Sequence, residues 1–297
     1  MNALFPSFQT IRVQGRILRL DEPLIMGILN ATPDSFFEGS RVMDPAVCLE
    51  RVAGMVALGA KIIDIGGHST RPGAAPVTPV EEIERVVPLI QLIRKQFPDL
   101  VISIDTYRLS VAQAAIAAGA DLFNDIGAGQ MDAGIFEWVA QNQVPYILSH
   151  SRGAFNQVHE VPDYQDVVAD VWSDIATKLH TLRSLGAKDV IVDPGLGFSK
   201  SIDHNYALLA HLASFKTLGA PILIGVSRKS MIYKTLGITA AESLNGTSAL
   251  HMVALQQGAQ ILRVHDVAEA KEVITLFQKL QANGLPNLVK WGLEACE

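Results

Sequence analysis

With 297 residues, 49% of them apolar and only 18% charged, the chain can bury a large core, and its composition argues against disorder. Twenty-four basic residues against 30 acidic ones leave a net charge of −6, which disfavours the basic footprint of a nucleic-acid binder. Mean hydropathy is positive, yet no apolar run approaches the roughly 18 residues of a membrane-spanning helix, so no membrane partner is expected.

Residues 1–20 lack the basic segment and apolar stretch of a signal peptide. Cys48 and Cys296 sit in no metal or redox spacing and read as two reduced thiols of a cytoplasmic protein. Within the first segment, 1–22, residues 8–20 read as a hairpin. From Pro23 a rhythm sets in. Short apolar runs at 24–29, 61–65, 101–104, 121–123, 145–148, 189–192, 221–224 and 260–262 each close on a polar residue or glycine. Runs this short and β-branched, without alternation, suit parallel strands buried on both faces. Helical spacing fills the gaps at 44–59, 80–96, 108–119, 132–142, 163–185, 203–217, 240–258 and 266–281. Several of these stretches end in Gly-Ala, a helix stop followed by a strand start.

Eight strand–helix units read as a single (β/α)₈ TIM barrel over 23–282, with the N-terminal hairpin as an extension covering the barrel floor and 283–297 as a tail. The alternative, a doubly wound open sheet, lacks a G-x-G-x-x-G turn after any strand. A barrel gathers its site at the C-terminal ends of the strands. Asn30, Asp105, Asn124, Asp193, Lys229, Arg263 and His265 therefore converge on one mouth. One such residue could merely cap a loop; unlike hydrogen-bonding residues around a single mouth point to a site.

Four segments are more specific: MGILNATPDSF at 26–36, DIGGHSTRPG at 64–73, DPGLGF at 193–198 and GVSRKS at 225–230. With SIDT at 103–106, Asn124-Asp125 and the Arg263–His265 pair, they resemble, in order, the signature segments of the dihydropteroate synthases. That resemblance implies a transferase of folate biosynthesis, joining a pterin pyrophosphate to p-aminobenzoate, with Mg²⁺ as cofactor, sulfonamides as inhibitors and a homodimer as the family's expected assembly. A pterin presents an aminopyrimidinone edge, which needs a carboxylate acceptor and an amide that both donates and accepts. Asp193 and Asn124 supply these, Lys229 can donate to the ring carbonyl, and the resemblance adds Asp105. It assigns Asn30, Arg263 and His265 to pyrophosphate, with Asn30 also on the metal. Mg²⁺ takes few protein ligands, so one amide oxygen with substrate oxygens suffices.

Net acidity must then hide a local basic cluster. Arg263 and His265, two apart on a strand end, point the same way. The implied mechanism is dissociative, with Asp105 facing the cationic pterin and Arg71 ordering the mouth. Thr70, Arg71, Pro72, Phe36 and Phe198 would surround p-aminobenzoate, and Ser230, at the start of a helix, would meet its carboxylate.

The chain departs from the family's usual pattern in three places. His68 stands where Glu is usual, Ser149 and Ser151 flank His150 where Met is usual, and the loop at 36–40 is less polar. The segment GLGFSKS at 195–201 looks like a phosphate-cradling loop but misses the Walker spacing. Two other functions stay open on sequence. A pterin-dependent methyltransferase would share the pterin-edge residues without needing Arg263 and His265. A catalytically silent paralogue would bind pterins only.

Overall fold

The computed structural model describes residues 10–13, 15–31, 45–68, 77–153 and 161–285. Strands β1 (Thr10–Val13) and β2 (Arg16–Arg19) pair antiparallel, Thr10 opposite Arg19, as the expected hairpin. Eight parallel strands follow: β3 (Leu24–Asn30), β4 (Ile62–Gly66), β5 (Val101–Asp105), β6 (Leu122–Asp125), β7 (Tyr146–Ser149), β8 (Val190–Asp193), β9 (Leu223–Ile224) and β10 (Ile261–Val264). Their order is β8-β7-β6-β5-β4-β3-β10-β9, and a parallel bridge from Ile222 back to Val192 closes the ring. This is the TIM barrel expected from the rhythm of the sequence.

Helices α1 (Pro45–Ala57), α2 (Pro79–Gln96), α3 (Leu109–Ala117), α4 (Ile135–Asn142), α5 (Val167–Ser184), α6 (Ile202–Ala210), α7 (Ser230–Leu236), α8 (Leu244–Gln257) and α9 (Val267–Ala282) cover the outside. No described helix is long and apolar enough to cross a membrane. Local signals set the helix starts. Thr78 and Glu81 close a reciprocal capping box on α2, and Asp166 accepts from two backbone N–H groups at the start of α5. One expected helix, 203–217, proves to be two elements, because α6 stops at Ala210 and Leu212–Leu218 continues as a 3₁₀ helix. Leu212, Phe215 and Leu218 are its buried residues, and a spacing of three lines up on one face of a 3₁₀ helix.

Alternation along each strand sorts its side chains between two cores. Ile63, Ile65, Ile102, Ile104, Leu148 and Val192 join the helices in the outer core. Met26, Ile62, Val101, Leu122, Ile147, Ile191, Leu223 and Ile261 point inward and fill the bottom of the barrel, where Ile11, Val13 and Leu20 of the hairpin region join them. The hairpin is also tied by polar bonds, Arg12 N–H donating to Asp189 Oδ1 at 2.9 Å and Gln260 Nε2 to Leu20 O at 3.3 Å. A sealed apolar floor leaves the opposite end of the barrel as the mouth. Cys48 is a buried free thiol of the outer core, its pKa pushed up to about 11 by burial, which makes it inert. Cys296 lies outside the described residues.

Candidate active site

Counted two residues along each strand from its floor residue, the same inward parity brings up Asp64, Ser103, Asn124, Ser149, Asp193, Gly225 and Arg263. Two residues further along their strands come Asn30, Gly66 and Asp105. The strands thus change from apolar to polar halfway up the barrel. Arg263 organises the centre. Its Nε donates to Asp64 Oδ2 at 2.6 Å and its Nη2 to Asp105 Oδ2 at 2.5 Å. Asp64 Oδ2 also accepts from Asn124 Nδ2 at 3.0 Å, so amide, carboxylate, guanidinium and carboxylate form one connected row. Burial opposes the charge on Arg263, but Asp64 and Asp105 override it and raise its pKa. Burial raises the pKa of Asp105, against the pull of Arg263. Asp64 Oδ1, Asp105 Oδ1, Ser103 Oγ and Ser149 Oγ are buried without a hydrogen-bond partner. Unfilled buried acceptors are costly, and a cluster of them beside one row is the signature of a ligand site.

Asp193 and Lys229 form the other wall. Lys229 Nζ donates to Leu196 O, lies 4.8 Å from the centre of the Phe198 ring, and stands beside Gly225, which Arg263 also borders. Burial pulls the Lys229 pKa down to about 8 against the opposing field of Asp193. Asp193 makes no direct bond to Lys229; its Oδ1 accepts from Gly195 N–H at 2.8 Å. Burial raises its pKa. Gly195 has φ +69°, and an added Cβ would fall 1.9 Å from His150 O. Gly195→Ala should therefore lose about 2 kcal/mol or more of stability in thermal unfolding. An unchanged melting temperature would show that the loop does not press on the end of β7.

His265, exposed at the rim, uses Nδ1 on Ser227 Oγ at 3.0 Å and shares the inward parity of Arg263. Asn30 Oδ1 and Asp105 Oδ2 lie 3.9 and 3.7 Å from where a Gly66 Cβ would be, so both side chains face the same point on β4. Ser230 is the first residue of α7, immediately after Lys229. Its neighbour Arg228 is taken up by Asp266, at 2.8 Å through both Nε and Nη2. Phe36, Thr70, Arg71 and Pro72 lie outside the described residues.

The residues bordering the segment that holds Thr70 and Arg71 are tied down. Buried His68 meets Glu82 at 3.0 Å, Arg108 pairs with Glu82 at 2.6 Å and donates to Val77 O, and Arg85 donates to Gly67 O. Ser149 turns a hydroxyl into the barrel, and Ser151 donates to Ile126 O at 2.7 Å.

Comparison with known proteins matches this arrangement. The pattern of the pterin binding enzyme family fits residues 26–265. A dihydropteroate synthase of Streptococcus pyogenes is 44% identical over 260 residues, 86% of this chain and 95% of that protein. One from Escherichia coli K12 is 40% identical over 267 residues, 89% of this chain and 94% of that protein. The chain belongs to the dihydropteroate synthase family. Solved structures agree. A dihydropteroate synthase of Xanthomonas albilineans with 4-aminobenzoic acid superposes with a TM-score of 0.85 at 38% identity, covering 93% of this chain and 99% of that one. A Yersinia pestis dihydropteroate synthase in a sulfonamide drug complex gives 0.85 at 37%, covering 92% and 100%.

Asp64 joins the row although the strand-end pattern did not point to it; a carboxylate centred in the apolar strand IIDIG was the signal in plain view. Each inward carboxylate meets a cation: Arg263 serves Asp64 and Asp105, and Lys229 and Lys200 both act on Asp193.

Proposed function

We propose that this chain condenses 6-hydroxymethyl-7,8-dihydropterin pyrophosphate with p-aminobenzoate to give 7,8-dihydropteroate and pyrophosphate. The observation that carries the reading is the row Asn124–Asp64–Arg263–Asp105 with unfilled buried acceptors beside it and with Asp193 and Lys229 within its field. A 7,8-dihydropteroate complex of the Xanthomonas albilineans enzyme superposes on the chain with a TM-score of 0.82 at 36% identity, which supports the same product.

In this proposal Asp193 accepts from the pterin amino group and ring N–H, Asn124 completes the edge, and Lys229 donates to the ring carbonyl. The CH₂–O bond breaks with its electron pair leaving on pyrophosphate, and Asp105 faces the resulting pterin cation. The aryl amine then attacks the CH₂ carbon and releases one proton. Fixed charges and positioning, with no covalent intermediate on the protein, lower the barrier. Arg263 and His265 hold the leaving group. Asn30, a neutral oxygen donor that faces the same point on β4 as Asp105, suits Mg²⁺ with substrate oxygens. Mg²⁺, when bound, supplies charge neutralisation for the departing pyrophosphate.

Phe198 and Ser230, with Phe36, Thr70, Arg71 and Pro72, take the aminobenzoate, and sulfonamides compete there. The test is direct. Purified protein with Mg²⁺ and both substrates should yield 7,8-dihydropteroate and pyrophosphate by chromatography. No product from folded protein that still binds pterin would assign the chain to the silent pterin binders.

A further inference from the structure

The segment GLGFSKS at 195–201 misses the spacing of a phosphate loop, and its lysine is put to another use. Lys200 is buried, and its Nζ lies 2.9 Å from Phe198 O, 3.0 Å from Gly195 O, 3.3 Å from His150 O and 3.0 Å from His150 Nδ1. An ammonium has three N–H donors, and here four acceptors from two separate segments surround it. His150 is kept neutral, its pKa lowered to about 2 by burial and then by the nearby charge of Lys200, so Nδ1 can accept. Burial lowers the Lys200 pKa to about 7, and the charged groups facing it are Asp193, Lys229, Arg152 and Asp174; its hold on the loop rests on the four short contacts rather than on charge alone.

What the lysine gathers is functional ground. Phe198 O belongs to the residue whose ring stacks over Lys229, and Leu196 O, between two of the gathered carbonyls, is the acceptor for Lys229 Nζ. The same loop is held by Asn205 Oδ1 at Gly197 N–H (2.7 Å) and by Ser199 Oγ, which donates to Arg152 O at 2.7 Å. Neither of these bonds reaches Phe198 or Leu196 directly. We infer that Lys200 is a positioning residue for the second substrate: by drawing the end of β7 and the loop after β8 onto one side-chain nitrogen, it sets where the Phe198 ring stands. The inference rests on the reading of Phe198 as part of the aminobenzoate site. Asn30, Asp105, Asn124 and Arg263 are carried by other strands, so the pyrophosphate side should be largely untouched.

The test uses Lys200→Met, which removes charge and donors, and Lys200→Gln, which keeps two donors. Melting temperatures and KM for each substrate are measured for both variants and for the wild-type protein with Mg²⁺. The expected result for every variant that folds is a KM for p-aminobenzoate raised about tenfold, more for Met than for Gln, with KM for the pterin pyrophosphate raised less than about threefold. If Lys200→Met fails to fold, Lys200→Gln carries the same test. Both KM values unchanged, or both raised in proportion alongside a lower melting temperature, would overturn the inference and leave Lys200 a structural clasp. Lack of turnover in the wild-type protein would instead remove the parent reading, and this inference with it.

Discussion

Arg263→Ala should lower kcat/KM by about a thousandfold or more and cost about 3–5 kcal/mol of stability at neutral pH, the usual consequence of removing one partner from a buried ion pair. The guanidinium is the only cation bonded to Asp64 and Asp105 among the described residues, and Asp64 is wholly buried. Its loss also loosens Asn124, which donates to the same Asp64 oxygen, so plain pterin should bind more weakly as well as the pyrophosphate ester. The pH dependence has a definite sign. Burial already raises the folded-state pKa of Asp105 against the pull of Arg263, and without the arginine that pull is gone. The variant then regains stability as pH falls and Asp105 protonates, and loses it as pH rises through the raised value. Calorimetric melting from pH 5 to 8 should show the gap to wild type narrowing toward pH 5. Arg263→Lys should be intermediate, because a single ammonium cannot fork between two carboxylates. A gap that is constant with pH would mean that Arg263 does not neutralise this pair.

Asp193→Asn should weaken pterin binding by about a hundredfold or more while leaving the fold intact. The asparagine carbonyl can still accept from Gly195 N–H, so the loop keeps its anchor. What remains for the ligand is an NH₂ facing the pterin's own donors, at roughly 1–3 kcal/mol for each unsatisfied group. Titration calorimetry with a plain pterin measures this directly. In the wild-type protein, affinity should fall on the acid side as Asp193, whose pKa burial has raised, takes up a proton and ceases to be a pure acceptor. It should fall again above about pH 8 as Lys229 loses its proton. The substitution should abolish the acid limb and leave the alkaline one. An acid limb that survives in Asp193→Asn would move the edge-reading role to another carboxylate, with Asp64 or Asp105 the first to examine.

The alternation of strand and helix was legible because it is local. Runs such as VISID and VIVD are too short and too β-branched for helices, and glycines at the helix ends mark where each strand resumes. The ends of those runs also disclosed most of the candidate site, since barrel topology alone brings strand ends to one mouth. The 3₁₀ turn after α6 was not legible, because LASFKTL carries no Gly or Pro to break a helix and apolar residues three apart suit either form.

The charge balance of the mouth was decided by tertiary structure. Parity along a strand says which side chains face inward, but the stagger between strands sets their height. Arg263 is in register with Met26, while Asp105 is in register with Gly66 and Asn124. By register the arginine stands two residues short of Asp64 and four short of Asp105, and the length of its side chain spans that stagger. Lys200 likewise reads as a loop cation in the sequence, yet the fold turns it inward onto carbonyls from two segments. Sequence determined which residues reach the mouth, because strand period and topology are local consequences of composition. Which partner each charge takes was left to the tertiary structure, because hydrogen bonding depends on ångström-scale distances that only the closed, staggered barrel fixes.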